Sequence, residues 1–194
     1  MIDFLKKEGE KNMKLIVICG AMFSGKSTRL ITEGEKYAKA GRKVVYLKPS
    51  SDTRYSINEI VTHDGVKVPA SIITDGIEKL ELVQEADVVL IDEVQFLPIQ
   101  LINEVKSLLY VGKTVIVAGL DMDYMTNSFP VVRELMCQAD EVYKLKGICK
   151  CGAESVLSSI NKEHRKDMLN PVVLGANDKY QALCRKCYYE ENFK

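Results

Sequence analysis

Gly20-Ala21-Met22-Phe23-Ser24-Gly25-Lys26-Ser27 satisfies every fixed position of the pattern G-x-x-x-x-G-K-[ST]. Just upstream, Leu15-Ile16-Val17-Ile18 is an all-apolar run with the character of a buried strand. Downstream, Lys26 to Ala40 is rich in helix formers and stops at Gly41, a residue suited to a left-handed cap. Strand, glycine-bearing turn and helix in that order are the setting the motif requires. The glycines let backbone N–H groups turn inward around phosphate oxygens, and the helix N-terminus adds partial positive charge. Lys26 then neutralises the β- and γ-phosphates, and Ser27 offers a hydroxyl to Mg²⁺.

Three further apolar runs, Val44–Leu47, Val88–Ile91 and Val115–Ala118, match the first. Continuous apolar, largely β-branched runs read as strands buried on both faces, the pattern of a parallel sheet. Between them, Ile77 to Ala86 carries Leu80 and Val83 at helical spacing. Between Pro98 and Val111, Leu101, Ile102, Val105, Leu108 and Leu109 form one stripe closed by Gly112. Alternating strands and helices predict an α/β fold with a mostly parallel sheet and helices on both faces. Cys19 and Cys137, on an apolar strand and a helical stripe, read as core residues.

Asp92-Glu93 ends the run Val88–Ile91, where an acid beside a phosphate loop partners Mg²⁺. Neighbouring residues at a strand tip point to different sides, so Asp92 can face the metal and Glu93 a second substrate. The other reading of Glu93 is a solvated loop acid. A GTPase would need Asn-Lys-x-Asp after a later strand, and Asn161-Lys162-Glu163-His164 lacks the Asp. A small-molecule kinase remains, with a zinc-ribbon ATPase that binds nucleic acid or protein as the alternative.

With 194 residues, 46% of them hydrophobic, the chain can bury roughly 70% of its unfolded surface without disulfides. Its 27 basic and 27 acidic residues argue against a protein that mainly grips nucleic acid. No apolar run approaches the roughly 20 residues of a membrane span. The opening MIDFLKKEGEKNMK lacks a signal-peptide core, so a cytoplasmic location is expected. Residues 1–13 read as a loose tail, and Met13 is a second possible start.

In that compartment six cysteines point to metal or free thiols. Four of them, Cys149, Cys151, Cys184 and Cys187, fall after Gly147, where the long apolar runs stop. Two close pairs of thiols make a tetrahedral structural zinc site; four reduced surface thiols are the other reading. The pairs are separated by residues 152–183, so zinc would close the base of a long loop. The expected organisation is a tail over 1–13, an ATP-binding α/β domain over 14–146, and a zinc-binding lobe over 147–194.

Several further stretches complete a pattern: Asp52-Thr53-Arg54-Tyr55-Ser56, Thr62-His63-Asp64-Gly65, Ile91-Asp92-Glu93-Val94-Gln95-Phe96, Ala118-Gly119-Leu120-Asp121 and Gly175-Ala176-Asn177-Asp178-Lys179-Tyr180. In their order and spacing, with the phosphate loop and cysteines, they resemble the cytosolic-type thymidine kinases that carry a zinc-bound lasso. The resemblance runs from about Leu15 to Tyr188. It implies a RecA-like P-loop fold and a small C-terminal lasso over the nucleoside. The implied reaction passes the ATP γ-phosphate to the 5′-hydroxyl of thymidine, in nucleoside salvage for DNA synthesis. A homotetramer with feedback inhibition by thymidine triphosphate is implied too, with neither nucleic acid nor membrane as partner.

Residue by residue, the resemblance makes Glu93 the general base and Asp92 the Mg²⁺ partner. Mg-ATP falls to Gly20, Met22, Phe23, Ser24, Gly25, Lys26, Ser27, Thr28, Asp52, Arg54 and Gln95, with Arg54 steadying the transferring phosphoryl group. Met22, Leu120, Tyr124, Phe129, Ser158 and Tyr180 surround thymine, and backbone at Val172 and Val173 hydrogen-bonds the base. Taken alone, the aromatic and Met residues read more readily as core than as a site. The chain departs from the family pattern in three places. Cys149-Lys150-Cys151 stands for C-x-x-C, Ser158 for Thr, and Ile160 for Arg.

Overall fold

The four apolar runs lie side by side at the centre of one sheet. A computed structural model describes residues 13–52, 56, 58–73, 76–161, 163 and 179–193. In chain order the first elements are β1 (Lys14–Gly20), α1 (Lys26–Lys39) and β2 (Val44–Pro49), then the short strands β3 (Glu59–Val61), β4 (Lys67–Pro69) and β5 (Ser71–Ile73). After α2 (Glu81–Glu85) come β6 (Val88–Ile91), α3 (Leu101–Tyr110), β7 (Thr114–Gly119), α4 (Pro130–Gln138) and β8 (Glu141–Leu145). The sheet runs β5-β2-β6-β7-β1-β8, and every adjacent pair is parallel. In a parallel sheet all strands end at one edge, so Gly20, Asp92 and Leu120 emerge together there.

Side chains alternate across the strands and feed two cores. Leu15, Val17, Val89, Ile91, Val115 and Val117 face α3 and α4, where Ile102, Val105, Val132 and Leu135 meet them. Ile16, Ile18, Leu90 and Ile116 face Leu30 and Ile31 of α1. Burying each such side chain stabilises the fold by about 1.5–3 kcal/mol. No helix among the described residues is long and apolar enough to cross a membrane.

Two sequence expectations change. The stretch Ile77 to Ala86 is not one helix: Ile77–Lys79 is a single 3₁₀ turn, Leu80 is extended, and α2 begins at Glu81. On a continuous helix Ile77 and Val83 would point about 120° apart, and the break at Leu80 turns both into the same core. Cys137 is exposed rather than buried. The inward stripe of α4 is Val131, Val132 and Leu135, and Cys137 lies roughly 200° around the helix from Leu135.

The C-terminal lobe is made of β9 (Gly147–Ile148) with β10 (Glu154–Ser155), β11 (Leu157–Ile160) with β12 (Tyr180–Leu183), and α5 (Arg185–Asn192). Both strand pairs are antiparallel. Leu157, Leu183, Tyr188, Cys149 and Cys187 form its core, apart from the other two.

Candidate active site

The phosphate loop takes its shape from backbone that most residues cannot adopt. Gly25 has φ 80° and Gly20 φ 139°, and a Cβ on Gly20 would lie 2.3 Å from the Leu145 carbonyl oxygen of β8. Phe23 is held at φ 61°, a strained value for an aromatic residue. The Lys26 ammonium is buried and donates to the Ala21 carbonyl at 2.8 Å. Ser24 Oγ donates to that same carbonyl, also at 2.8 Å.

The strand β6 delivers the acids. Asp92 is buried, and its carboxyl is pushed up to about 7, first by burial and then by the charge of Glu93. The Ser27 hydroxyl, the Glu93 N–H and the Lys26 charge pull the other way. This joins Ser27 of the loop to Asp92, a pair of hard oxygen donors of the kind Mg²⁺ takes. Glu93 sits at φ 53°, so the chain kinks as it leaves the strand, and its carboxylate opens into the cavity beside the loop. Gln95 is buried; its Nε2 donates to Glu93 Oε2 at 2.5 Å and its Oε1 accepts from Leu120 N at 3.0 Å. Gln95 therefore ties Glu93 to the end of β7.

The cavity is lined by Met22, Phe23, Gly25, Lys26, Ser27, Thr28, Asp52, Asp92, Glu93 and Leu120, all named from sequence. Its far wall comes from the β3–β4 hairpin, through Glu59, Ile60, Val61 and His63, with Lys48 beneath. The His63 ring meets Phe23 edge-on at 6.2 Å.

In the lobe, Cys149 and Cys151 occupy the β9–β10 turn, which Gly152 closes at φ 86° and the Cys149 N–H to Ala153 bond pins at 2.8 Å. Cys184 caps α5 and Cys187 lies in its first turn. All four sulfurs fall within 4.8 Å of one another, and Cys151 Sγ stands 3.7 Å from Cys184 Sγ. Zinc–thiolate bonds of about 2.3 Å in a tetrahedron put sulfurs about 3.8 Å apart, so the set fits that ion. Burial would push the Cys149 thiol up, yet the Cys151 and Cys184 N–H groups and neighbouring thiols bring it down to about 6. Cys187, hydrogen-bonded to the Cys151 and Cys184 sulfurs, is pushed up to about 12. Four thiolates this close repel one another, and a cation among them would remove that cost.

A family model described as Thymidine kinase matches residues 13–188. The chain belongs to the thymidine kinase family. A thymidine kinase of Pyrobaculum aerophilum is 36% identical over 181 residues, covering 90% of this chain and 97% of the relative. One from Bacteroides thetaiotaomicron is 39% identical over 183 residues, covering 94% and 90%. One from Rhodothermus sp. is 39% identical over 173 residues, covering 89% and 79%. The chain is accordingly an enzyme of the thymidine kinase family, a phosphotransferase on a mostly parallel P-loop sheet.

The remaining residues expected from the thymidine kinase resemblance are more dispersed. Ser158 is buried on β11, and its hydroxyl accepts the Met22 N–H at 3.0 Å. Tyr180 is half-buried at the start of β12, opposite the buried Ile160. Tyr124 is buried, and the Tyr188 hydroxyl donates to its carbonyl at 2.6 Å. Phe129 is half-buried against the α3–α4 core. Arg54, Val172 and Val173 lie outside the described residues, as does the tail before Met13. Sequence reasoning missed Lys48 and the hairpin wall. A lysine directly extending the apolar run Val44–Leu47 was the available signal, because charge seldom continues a buried strand.

Proposed function

We propose that the chain phosphorylates the 5′-hydroxyl of thymidine at the expense of ATP, with Glu93 as general base and the phosphate loop holding Mg-ATP. The observation that carries this reading is the left-handed kink at Glu93. It sets the two neighbouring acids apart at the cavity, with Asp92 bonded to Ser27 and Glu93 bonded to Gln95. Hydrolysis and transfer alike need a group to receive the nucleophile's proton, so the acidic pair supports phosphoryl transfer, and membership of the thymidine kinase family supports a nucleoside as the acceptor.

Phosphoryl transfer passes through a loose transition state, so positioning and charge do most of the work. Lys26 neutralises phosphate oxygens, and loop N–H groups cradle them. Ser27 and Asp92 would hold Mg²⁺, which would supply further neutralisation of the phosphate charge. Glu93, steadied by Gln95, orients the 5′-hydroxyl and accepts its proton late in the transfer. Arg54 is assigned to the moving phosphoryl group. Met22, Leu120, Tyr124, Phe129, Ser158 and Tyr180, with backbone at Val172 and Val173, are assigned to the nucleoside. Cys149, Cys151, Cys184 and Cys187 would hold a zinc ion, which would anchor both ends of the lasso assigned to exclude water from the site.

The same reading takes the chain as cytoplasmic, a homotetramer, active in nucleoside salvage and inhibited by thymidine triphosphate. One assay tests it: ATP consumption with each of the four deoxynucleosides and, separately, with single-stranded DNA. Stimulation by thymidine above the other three is the expected result. Stimulation by DNA alone would instead favour a nucleic-acid-dependent ATPase.

A further inference from the structure

Lys48, the fifth residue of β2, is 2% exposed and among the largest fully buried side chains of the described residues. Its ammonium has three hydrogens and three partners. These are the Asp52 carboxylate at 3.0 Å, the Ser56 carbonyl at 2.9 Å and the Glu59 carbonyl at 3.2 Å. All three lie on the stretch of chain that leaves β2 and returns as β3.

Stability is a poor explanation for this lysine. Taking an ammonium out of water is costly, and replacing a buried ion pair with apolar residues is often neutral or stabilising. What a lysine does here, and an apolar residue of equal length does not, is gather a carboxylate and two carbonyls at one point. Those groups bear on the phosphate cavity. Asp52 lines it, and so do Glu59, Ile60, Val61 and His63 of the hairpin. Among the described residues the hairpin pairs with itself alone, since β3–β4 is a two-stranded sheet separate from the central one. Such a pair is marginal unless packed against something else. Ile60 and Val68 pack on the α1-side core. The Ala70 N–H to Asn58 carbonyl bond of 2.9 Å closes the hairpin base. Beside that packing, that closure and the edge-on contact of His63 with Phe23, the bonds at Ser56 and Glu59 bear on the height of the wall above the phosphate loop.

We propose that Lys48 is a positioning residue for phosphoryl transfer, seating Asp52 and the hairpin wall against the phosphate loop through its three bonds to the chain. The inference rests on the reading of this cavity as the site of the ATP phosphates. A displaced wall misplaces the phosphates while leaving the lobe untouched, so the effect should divide between the two substrates.

The test uses the full chain with Lys48→Met and Lys48→Gln. ATP and thymidine are varied separately, and amide hydrogen exchange is followed across the protein. In Lys48→Met, kcat/KM for ATP is expected to fall about 10²-fold, the scale of a small misplacement of reacting groups. The KM for thymidine should stay within about threefold of wild type. Exchange should quicken over residues 58–69 and hold steady in β1 and α1. Lys48→Gln, which keeps two N–H donors on a side chain one bond shorter, should recover part of the loss, about tenfold. A folded Lys48→Met with wild-type ATP kinetics overturns the proposal. So does a fall in kcat with the KM for ATP and the KM for thymidine both unchanged, which loss of folded enzyme alone would give. If Lys48→Met does not fold, the same split in Lys48→Gln decides. Wild-type protein without thymidine-dependent ATP consumption would defeat the functional reading instead, and the hydrogen-exchange comparison would still judge Lys48.

Discussion

The phosphate loop and the cysteine lobe lie on either side of Leu145, and different forces give each its shape. The loop hangs from β1, a strand with neighbours on both sides and core residues on both faces. Its curvature is written in backbone angles at Gly20, Phe23 and Gly25. Among its described residues the lobe has two short strand pairs, one helix of eight residues and a core of five buried side chains, two of them cysteines. Pairs of that size are marginal alone. One region is therefore preformed by the sheet, while the other has little more than its small core and its four clustered cysteines. Changes at the loop should remove chemistry and spare the fold; changes at the lobe should loosen structure and weaken one substrate.

The largest effect that separates the two regions is expected from Lys26→Ala. Phosphoryl transfer should vanish with the circular dichroism spectrum unchanged, and measurable turnover near wild type would break the contrast at its stronger end. Next, Glu93→Gln should lower kcat by about 10²–10⁴-fold with nucleotide binding retained. An effect confined to KM would make Glu93 a binding group only.

For the lobe, Cys187→Ser, or removal of metal by a strong chelator, should raise the KM for thymidine by about tenfold, equivalent to roughly 1.4 kcal/mol of binding. The KM for ATP should move far less. Elemental analysis finding no zinc in active protein would show that the lobe stands without a metal, and the contrast would fail there.

The smallest effect sharpens the comparison from the other side. The folded protein holds the Asp92 carboxyl at about 7 against an ordinary 3.8. A raised carboxyl disfavours the ionised form in the fold, so stability falls as pH rises from about 4 to about 7 and is level above. Asp92→Asn should thus melt about 2–4 °C higher than wild type near pH 8, as about 1 kcal/mol does in a chain this size. The gap should close toward pH 4, while Mg-dependent turnover is lost. An equal gap at both pH values would mean that Asp92 is not strained by its charge.

Much of the nucleotide end is legible in sequence because local rules govern it. The motif, the strand before it and the helix after it obey neighbouring residues alone. The two outer strands were missed for physical reasons. In β8, Glu141–Leu145 alternates partly buried and exposed positions, as an edge strand does, and gives no apolar run. In β5, Ser71–Ile73 has only three residues. Gln95 was named from resemblance as a nucleotide contact. Its bonds to Glu93 and to Leu120 depend on β6 and β7 lying side by side, which no local pattern conveys. Lys48 is the same case, since its partners follow it in sequence but its meaning lies in where the hairpin lands. Cys149-Lys150-Cys151 departs from the usual spacing, and the tight turn at Gly152 brings both sulfurs into the cluster all the same.

The bond between the Met22 N–H and the Ser158 hydroxyl joins the phosphate loop to the lobe. A Cβ on Gly147 would lie 3.1 Å from the Phe23 carbonyl, so the backbones are close there as well. A nucleoside that draws β11 toward itself must alter the loop on which ATP rests. Thermodynamic reciprocity then fixes the converse: whatever factor thymidine applies to ATP affinity, ATP applies to thymidine affinity. The two substrates would be read as one message rather than two, with Ser158 as the hinge between them. Ser158→Ala should bring that shared factor closer to one, seen as titration curves for either substrate that no longer shift when the other, in non-reactive form, is present.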